Sequence, residues 1–207
     1  MTTTCRVLLV DDEAAPRQAF AQLIGFDKDF EVVATADGAA SAMQQLGEAR
    51  PDVLVADLSM PGPDGIQLTK AVRSFSPDVR VLILSSHDES LFAERALLAG
   101  ASGYLMKVNA PPLIGDALRK VHAGGIYLSD GIWRQLYREP CTADLSGEEA
   151  ALLDAIAIGN PPSRALAQVL DAPIGRIEQL THDLMRKLGL IGHTELRLFA
   201  ARRAQSR

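Results

Sequence analysis

Four apolar runs in the first half of the chain each stop at a polar residue. Val7-Leu8-Leu9-Val10 stops at Asp11-Asp12, Val53-Leu54-Val55-Ala56 at Asp57, Val81-Leu82-Ile83-Leu84 at Ser85-Ser86, and Gly103-Tyr104-Leu105-Met106 at Lys107. Short apolar runs alternating with helical periodicity read as buried parallel strands, because a strand covered by helices on both faces shows no polar side. In an open parallel sheet, ligands bind in the crevice outside the carboxyl ends of the strands. The carboxylates of Asp11, Asp12 and Asp57, the Ser85 hydroxyl and the Lys107 ammonium are therefore expected to converge on one spot.

Residues 1–123 read as five strand–helix pairs in a row. Strands are predicted at about 6–10 and 31–36, at two runs ending at Asp57 and Leu84, and at about 103–106. Helices follow each, stopping at Gly25, near Ala49, at Phe75, at Gly100 (from Asp88) and at His122 (from Pro111-Pro112). Consecutive βα units predict an α/β fold, a doubly wound five-stranded parallel sheet with helices on both faces. Residues 124–144 mix Gly, Asp and Pro with Ile126, Tyr127, Trp133 and Tyr137, and read as a linker with a short helical piece. Residues 145–207 carry only helical patterns, at about 146–158, 163–170, 173–188 and 193–204. The short helix, brief turn and longer helix between Ser163 and Leu188 have helix-turn-helix proportions. This second domain is expected to be small and all-α.

Charge separates the two halves. Residues 1–123 hold 11 Lys and Arg against 16 Asp and Glu, while residues 142–207 hold eight of each sign. The acidic half suits a cation site; the neutral half is less basic than a nucleic-acid reader usually is. No apolar stretch reaches the roughly 18 residues that cross a bilayer, and no signal-peptide pattern opens the chain. Cys5 and Cys141 have no Cys-x-x-Cys spacing, so a reducing, cytoplasmic setting without disulfides is expected.

A hard cation such as Mg²⁺ takes oxygen ligands, and carboxylates at neighbouring strand ends supply them. Asp11, Asp12 and Asp57 repel one another until positive charge enters. A carboxylate there can attack a phosphoryl group, with Lys107 and Ser85 neutralising its oxygens. Each element has a structural explanation when taken alone. Asp-Asp after a strand caps helices, Asp57 suits a turn, and a single Lys or Ser at a strand end is commonly a surface charge or a cap. Their joint occurrence in order at the strand ends favours the site.

Residues 5–123 resemble the receiver domain of two-component response regulators. The likeness is carried by Val7–Glu13, by Asp52–Gly65 (Asp-Val-Leu-Val-Ala-Asp-Leu-Ser-Met-Pro-Gly-Pro-Asp-Gly), by Val81–Ser85 and by Gly103–Lys107. The resemblance implies a flavodoxin-like sheet with Asp57 as phosphoacceptor, charged by a partner histidine kinase. It implies Mg²⁺ held by Asp12, Asp57 and the Ser59 backbone carbonyl, with Asp11 on a metal-bound water. Ser85 would move onto the phosphoryl group, Tyr104 would turn with it as the switch aromatic, and Lys107 would pair with the phosphate. Val108 stands where the family often has Pro or Asp.

Residues 145–204 resemble the LuxR-type helix-turn-helix of NarL/FixJ regulators. Leu145-Ser146-Gly147-Glu148-Glu149, Ala165–Leu170, Arg186-Lys187-Leu188-Gly189-Leu190 and His193-Thr194-Glu195 carry it. The loop Gly159-Asn160-Pro161-Pro162-Ser163 is one residue longer than usual, and Glu178 stands where the family commonly has a donor. Ile174, Ile177, Leu180, Leu184 and Leu188 form the predicted buried stripe of the 173–188 helix. The resemblance implies duplex-DNA binding, with Arg176, Gln179, His182, Arg186 and Lys187 facing DNA and Arg164 on the supporting helix. It also implies a homodimer on paired half-sites. Gly175 weakens the first turn of that helix by about 1 kcal/mol relative to Ala.

Three functions follow. The first is a phosphorylation-controlled transcription regulator, not an enzyme, since hydrolysis of its own acyl phosphate is self-limiting. The second is a signalling adaptor whose helical module binds protein, favoured by the acidic Glu178 on the open helix face. The third is a phosphoaspartate enzyme of the haloacid-dehalogenase kind. Those carry a second Asp two residues after the nucleophile on the first strand, whereas Asp57 ends the third strand and Ser59 follows it.

Overall fold

The computed structural model describes residues 4–86, 90–129, 132, 144–159, 162–188, 190 and 192–205. The chain divides into two compact units, one built around a sheet and one from helices. Among the described residues, no helix is long and apolar enough to cross a membrane.

The sheet unit runs β1 (Cys5–Val10), α1 (Ala14–Gly25), β2 (Phe30–Ala36), α2 (Ala39–Ala49), β3 (Val53–Asp57), α3 (Gly65–Phe75), β4 (Arg80–Ser85), α4 (Ser90–Leu98), β5 (Gly103–Met106), α5 (Ala110–His122) and β6 (Tyr127–Leu128). A 3₁₀ turn, Lys107–Asn109, joins β5 to α5. The strands pair in the order β2-β1-β3-β4-β5-β6, all parallel. The doubly wound α/β class stands, but the sheet has six strands where five were expected. Tyr127–Leu128 falls inside the stretch read as linker, pairing Gly103 with Tyr127 and Tyr104 with Leu128. Leu128 is buried and Tyr127 packs against the sheet core, which is why this short segment docks. The predicted helical piece of that stretch, with Trp133, Tyr137 and Cys141, lies outside the described residues, as do Asp88, Asn160, Pro161 and Gly189.

The strands are apolar throughout because both faces are covered. Val7, Leu8, Val53, Leu54, Val55, Val81, Leu82 and Ile83 are all fully buried. One layer of the core packs β1, β3 and β4 against α1 and α5 through Leu9, Ile24, Val55, Leu82, Ile114 and Leu118. Its apolar burial, at roughly 25 cal/mol per Å², is what holds the strand ends in a common plane.

The helical unit comprises α6 (Gly147–Gly159), α7 (Ser163–Val169), α8 (Ile174–Lys187) and α9 (His193–Gln205). Ser146 starts α6 with a capping box: its backbone N–H donates to Glu149 Oε2 at 2.7 Å, and the Glu149 N–H donates to Ser146 Oγ at 3.2 Å. The core joins Leu152, Leu153, Leu166, Ile177, Leu184, Leu196 and Ala200. The buried stripe of α8 is Ile177, Leu180, Thr181 and Leu184. Ile174, expected in that stripe, is 43% exposed: it is the first residue of α8 and projects ahead of the packed turns.

Candidate functional site

The carboxyl ends of β1, β3 and β5 deliver three of the predicted groups to one place. Asp57 is the last residue of β3, Asp11 follows β1, and Lys107 follows β5. Lys107 Nζ donates to Asp11 Oδ2 at 2.8 Å and lies 3.0 Å from Asp57 Oδ1. Carboxylate oxygens of Asp11, Asp12 and Asp57 all lie within 4.8 Å of one another. Asp11 and Asp57 are buried, and Asp12 is half-buried at the mouth.

Backbone contacts fix this geometry. The Asp11 N–H donates to the Ala36 carbonyl at 3.2 Å, and Asp11 Oδ1 accepts from the Glu13 N–H at 2.9 Å. Beyond Asp57, the Leu58 N–H donates to the Leu84 carbonyl and the Gly65 N–H to the Leu58 carbonyl, both at 2.9 Å. The return into α3 is closed by a capping box, with Asp64 Oδ1 accepting from the Gln67 N–H at 2.7 Å and the Asp64 N–H donating to Gln67 Oε1 at 3.1 Å.

Sequence reasoning gave Gly65 no role beyond its place in the Asp52–Gly65 stretch. A Cβ there would stand 2.4 Å from the Asp57 carbonyl oxygen and 3.0 Å from Leu58 Cα. The backbone carrying Asp57 can lie this close to α3 only because residue 65 has no side chain. The available signal was the Asp-Gly pair placed just after the loop that follows Asp57.

Burial pushes the Asp57 carboxyl above the ordinary aspartate range, and the pairing with Lys107 pulls against this without cancelling it. Burial alone would lower the Lys107 ammonium, but its contacts with Asp11 and Asp57 hold it above the usual lysine value. The pocket thus keeps its cation in place. Its donors are hard oxygens on fixed strand ends, the chemistry that suits a divalent ion of the magnesium kind. Among the described residues a second cluster with metal-ligand potential, Cys5, Asp52 and His122, lies at the other end of the strands.

The remaining predicted residues occupy distinct places. Ser85 is fully buried at the end of β4, in register with Met106. Ser59 is exposed two residues past Asp57. Tyr104 is fully buried on β5 between Ile83 of β4 and Leu128 of β6. The sixth strand therefore makes β5 an interior strand, and Tyr104 does not close a sheet edge. Val108 is 76% exposed within the 3₁₀ turn after Lys107.

In the helical unit, Arg164 on α7 and Arg176, Gln179, His182, Arg186 and Lys187 on α8 are all exposed. The cations of α8 have carboxylate partners within the unit. Arg176 Nη2 lies 2.6 Å from Glu148 Oε2, Lys187 Nζ 2.7 Å from Glu149 Oε2, and Arg186 Nη2 2.7 Å from Asp183 Oδ1. Sequence distance hid the first two pairs.

Comparison with known proteins agrees with this fold. The model of the response regulator receiver domain matches residues 7–119. The oxygen regulatory protein NreC of Staphylococcus epidermidis is 30% identical, covering 96% of this chain and 97% of that protein. Among solved structures, a LuxR-family two-component response regulator from Aurantimonas sp. SI85-9A1 aligns with a TM-score of 0.63 at 36% identity, over 65% of this chain and 96% of that one. The response regulator RcsB in its complex with DNA aligns with a TM-score of 0.62 over 97% of this chain and 99% of that one, and at 22% identity this speaks for the fold. With a receiver match over more than half its residues and a full-length relative at 30% identity, the chain belongs to the LuxR-type response regulators of two-component systems.

Proposed function

We propose that this regulator takes a phosphoryl group from a partner histidine kinase onto Asp57 and that the modification controls binding of a homodimer to duplex DNA. One observation carries the reading: Asp11, Asp12 and Asp57 converge at the strand ends with Lys107 held between two of them. In the transfer, an Asp57 carboxylate oxygen bonds to phosphorus while the bond from phosphorus to the donor's imidazole nitrogen breaks. Lys107, already 3.0 Å from Asp57 Oδ1, needs little movement to meet the new phosphoryl oxygens. Ser85, at the end of the adjoining strand, is the second donor to them. Asp12, Asp57 and the Ser59 carbonyl are the ligands proposed for Mg²⁺, with Asp11 holding a metal-bound water, and the charge of the ion would offset that of the incoming phosphoryl group.

The charge change acts on the segment from β4 to β5, where Ser85 and Tyr104 lie on neighbouring strands. On the helical unit, the face toward DNA is Arg176, Gln179, His182, Arg186 and Lys187 of α8, with Arg164 of α7. The exposed ion pairs of α8 do not withhold these cations, since each is worth about 0–1 kcal/mol and phosphate contacts compete with them. The setting we propose is the cytoplasm, and the chain has no enzymatic role beyond its own dephosphorylation.

A second reading, an adaptor whose helical unit binds protein, is favoured by the intramolecular pairing of Arg176, Arg186 and Lys187 beside the exposed Glu178. A titration of promoter fragments against wild type and Asp57→Ala, each with and without a phosphoryl mimic, separates the two. The regulator reading expects salt-dependent binding strengthened by the mimic in wild type alone. Absence of binding to any fragment at low salt would hand the assignment to the adaptor.

A further inference from the structure

The opposite rim of the sheet holds a second set of ligand-type side chains. Cys5 opens β1, Asp52 directly precedes β3, and His122 is the last residue of α5. One sulfur, one carboxylate oxygen and one imidazole nitrogen from these residues lie within 4.8 Å of one another. They form no part of the phosphoacceptor pocket, which sits beyond the other ends of the same strands.

The scaffold under them is rigid. The Cys5 N–H donates to the Asp29 carbonyl at 2.8 Å, and the Asp52 N–H donates to the Arg6 carbonyl at 2.8 Å. Asp52 Oδ2 accepts from the Arg6 N–H at 2.8 Å, leaving its other oxygen without a hydrogen-bond donor among the described residues. Cys5 is 2% exposed and free of any disulfide, and its thiol has no hydrogen-bond partner among the described residues. Beside it, Val121 is fully buried and anchors the end of α5, while His122 reaches the surface. A buried, unpartnered sulfur thus faces a half-committed carboxylate and an accessible imidazole.

We propose that Cys5, Asp52 and His122 bind a borderline-soft divalent cation, Zn²⁺ in the first instance, at the rim of the sheet opposite Asp57. A mixed sulfur, nitrogen and oxygen set is the donor combination such an ion takes, with water completing a tetrahedron. Tetrahedral bonds of this kind bring ligand atoms to roughly 3.3–3.7 Å of one another, so binding would draw the three atoms in from their present separations of up to 4.8 Å, with the exposed His122 the ligand best able to move. Magnesium prefers oxygen ligands, so the two rims select different metals. Once bound, the ion would tie the start of β1 and the approach to β3 to the end of α5.

The test is a Co²⁺ titration of the full-length, chelator-treated protein, followed in the near ultraviolet for the sulfur-to-cobalt charge-transfer band. Parallel Zn²⁺ competition against a chromophoric chelator supplies the affinity. One sulfur-ligated cobalt per chain is expected, retained in Asp57→Ala and in Cys141→Ser and lost in Cys5→Ser. His122→Ala, at an exposed position that folding tolerates, should weaken Zn²⁺ by at least about tenfold, the loss seen when even a supporting partner is removed. Absence of the band in wild type, its survival in Cys5→Ser, or unchanged affinity in His122→Ala would each overturn the proposal and leave Cys5 as a core-packing side chain.

Discussion

The acidic pocket of the sheet unit and the cationic helix of the helical unit are built on opposite plans. At the acidic pocket proposed to accept phosphate, Lys107, Asp11 and Asp57 have side chains 14%, 2% and 7% exposed, and the backbone of three strands sets their positions. On α8, Arg176 and Lys187 are roughly half exposed, and their partners Glu148 and Glu149 come from the first turn of α6. Buried charges on fixed strand ends cannot relax, so their geometry is chemistry waiting for a ligand. Exposed pairs on helices exchange partners readily, so their geometry describes the unbound unit. The first site is preorganised and the second is adjustable.

The sharpest way to break this contrast is to remove one lysine from each. Lys107→Met leaves Asp11 and Asp57 facing each other in a desolvated pocket, and should cost roughly 3 kcal/mol by the usual cost of stranding a buried charge. Lys187→Met removes a pair whose lysine is exposed and whose Glu149 side chain is 12% exposed, and should cost about 1 kcal/mol. Denaturant midpoints of the two variants measure both, and equal losses would erase the distinction. Next in size is Gly65→Ala, whose methyl group would meet the Asp57 carbonyl at 2.4 Å. An overpacking cost of about 1–3 kcal/mol should come with slowed phosphoryl uptake, because the displaced backbone is that of the proposed acceptor. Uptake at the wild-type rate would show that the close approach has no bearing on the site.

Smaller effects sharpen the helical side. Ser146→Ala removes half the capping box of α6 and should cost about 1 kcal/mol, read as a lowered thermal midpoint of the helical unit. The hydrogen bond from Lys187, with that from the Ser146 N–H, holds the Glu149 carboxyl below the ordinary glutamate range. Its contribution is therefore complete above the unfolded glutamate value and fades as pH falls through the lower, folded one. Glu149→Gln should flatten the acid limb of the stability curve of this unit, and an unchanged limb would refute the pairing.

The convergence of Asp11, Asp12, Asp57 and Lys107 was legible in the sequence, because strand ends convert a linear pattern directly into a place. Val53–Asp57 announces both its burial and its terminal carboxylate in five letters. The sixth strand was not legible: Tyr127–Leu128 is too short to show a period, and Gly124-Gly125 before it reads as loop. Gly65 was hidden because close backbone approach leaves no mark on a sequence beyond a glycine that turns also use. Ile174 fits the helical period and still lies outside the core, since periodicity says nothing of where packing begins. Cys5, Asp52 and His122 were invisible together, being brought to one rim only by parallel pairing of β1 with β3 and the return of α5.

The account rests on Asp57 as the residue that carries phosphate. Incubation of the full-length protein with a small phosphodonor and Mg²⁺, followed by intact-mass and peptide mass spectrometry, tests this directly. The prediction is one phosphoryl group per chain, located on Asp57, absent when Mg²⁺ is chelated and absent in Asp57→Ala. A chain that takes no label, or that is labelled equally well without Asp57, would contradict it.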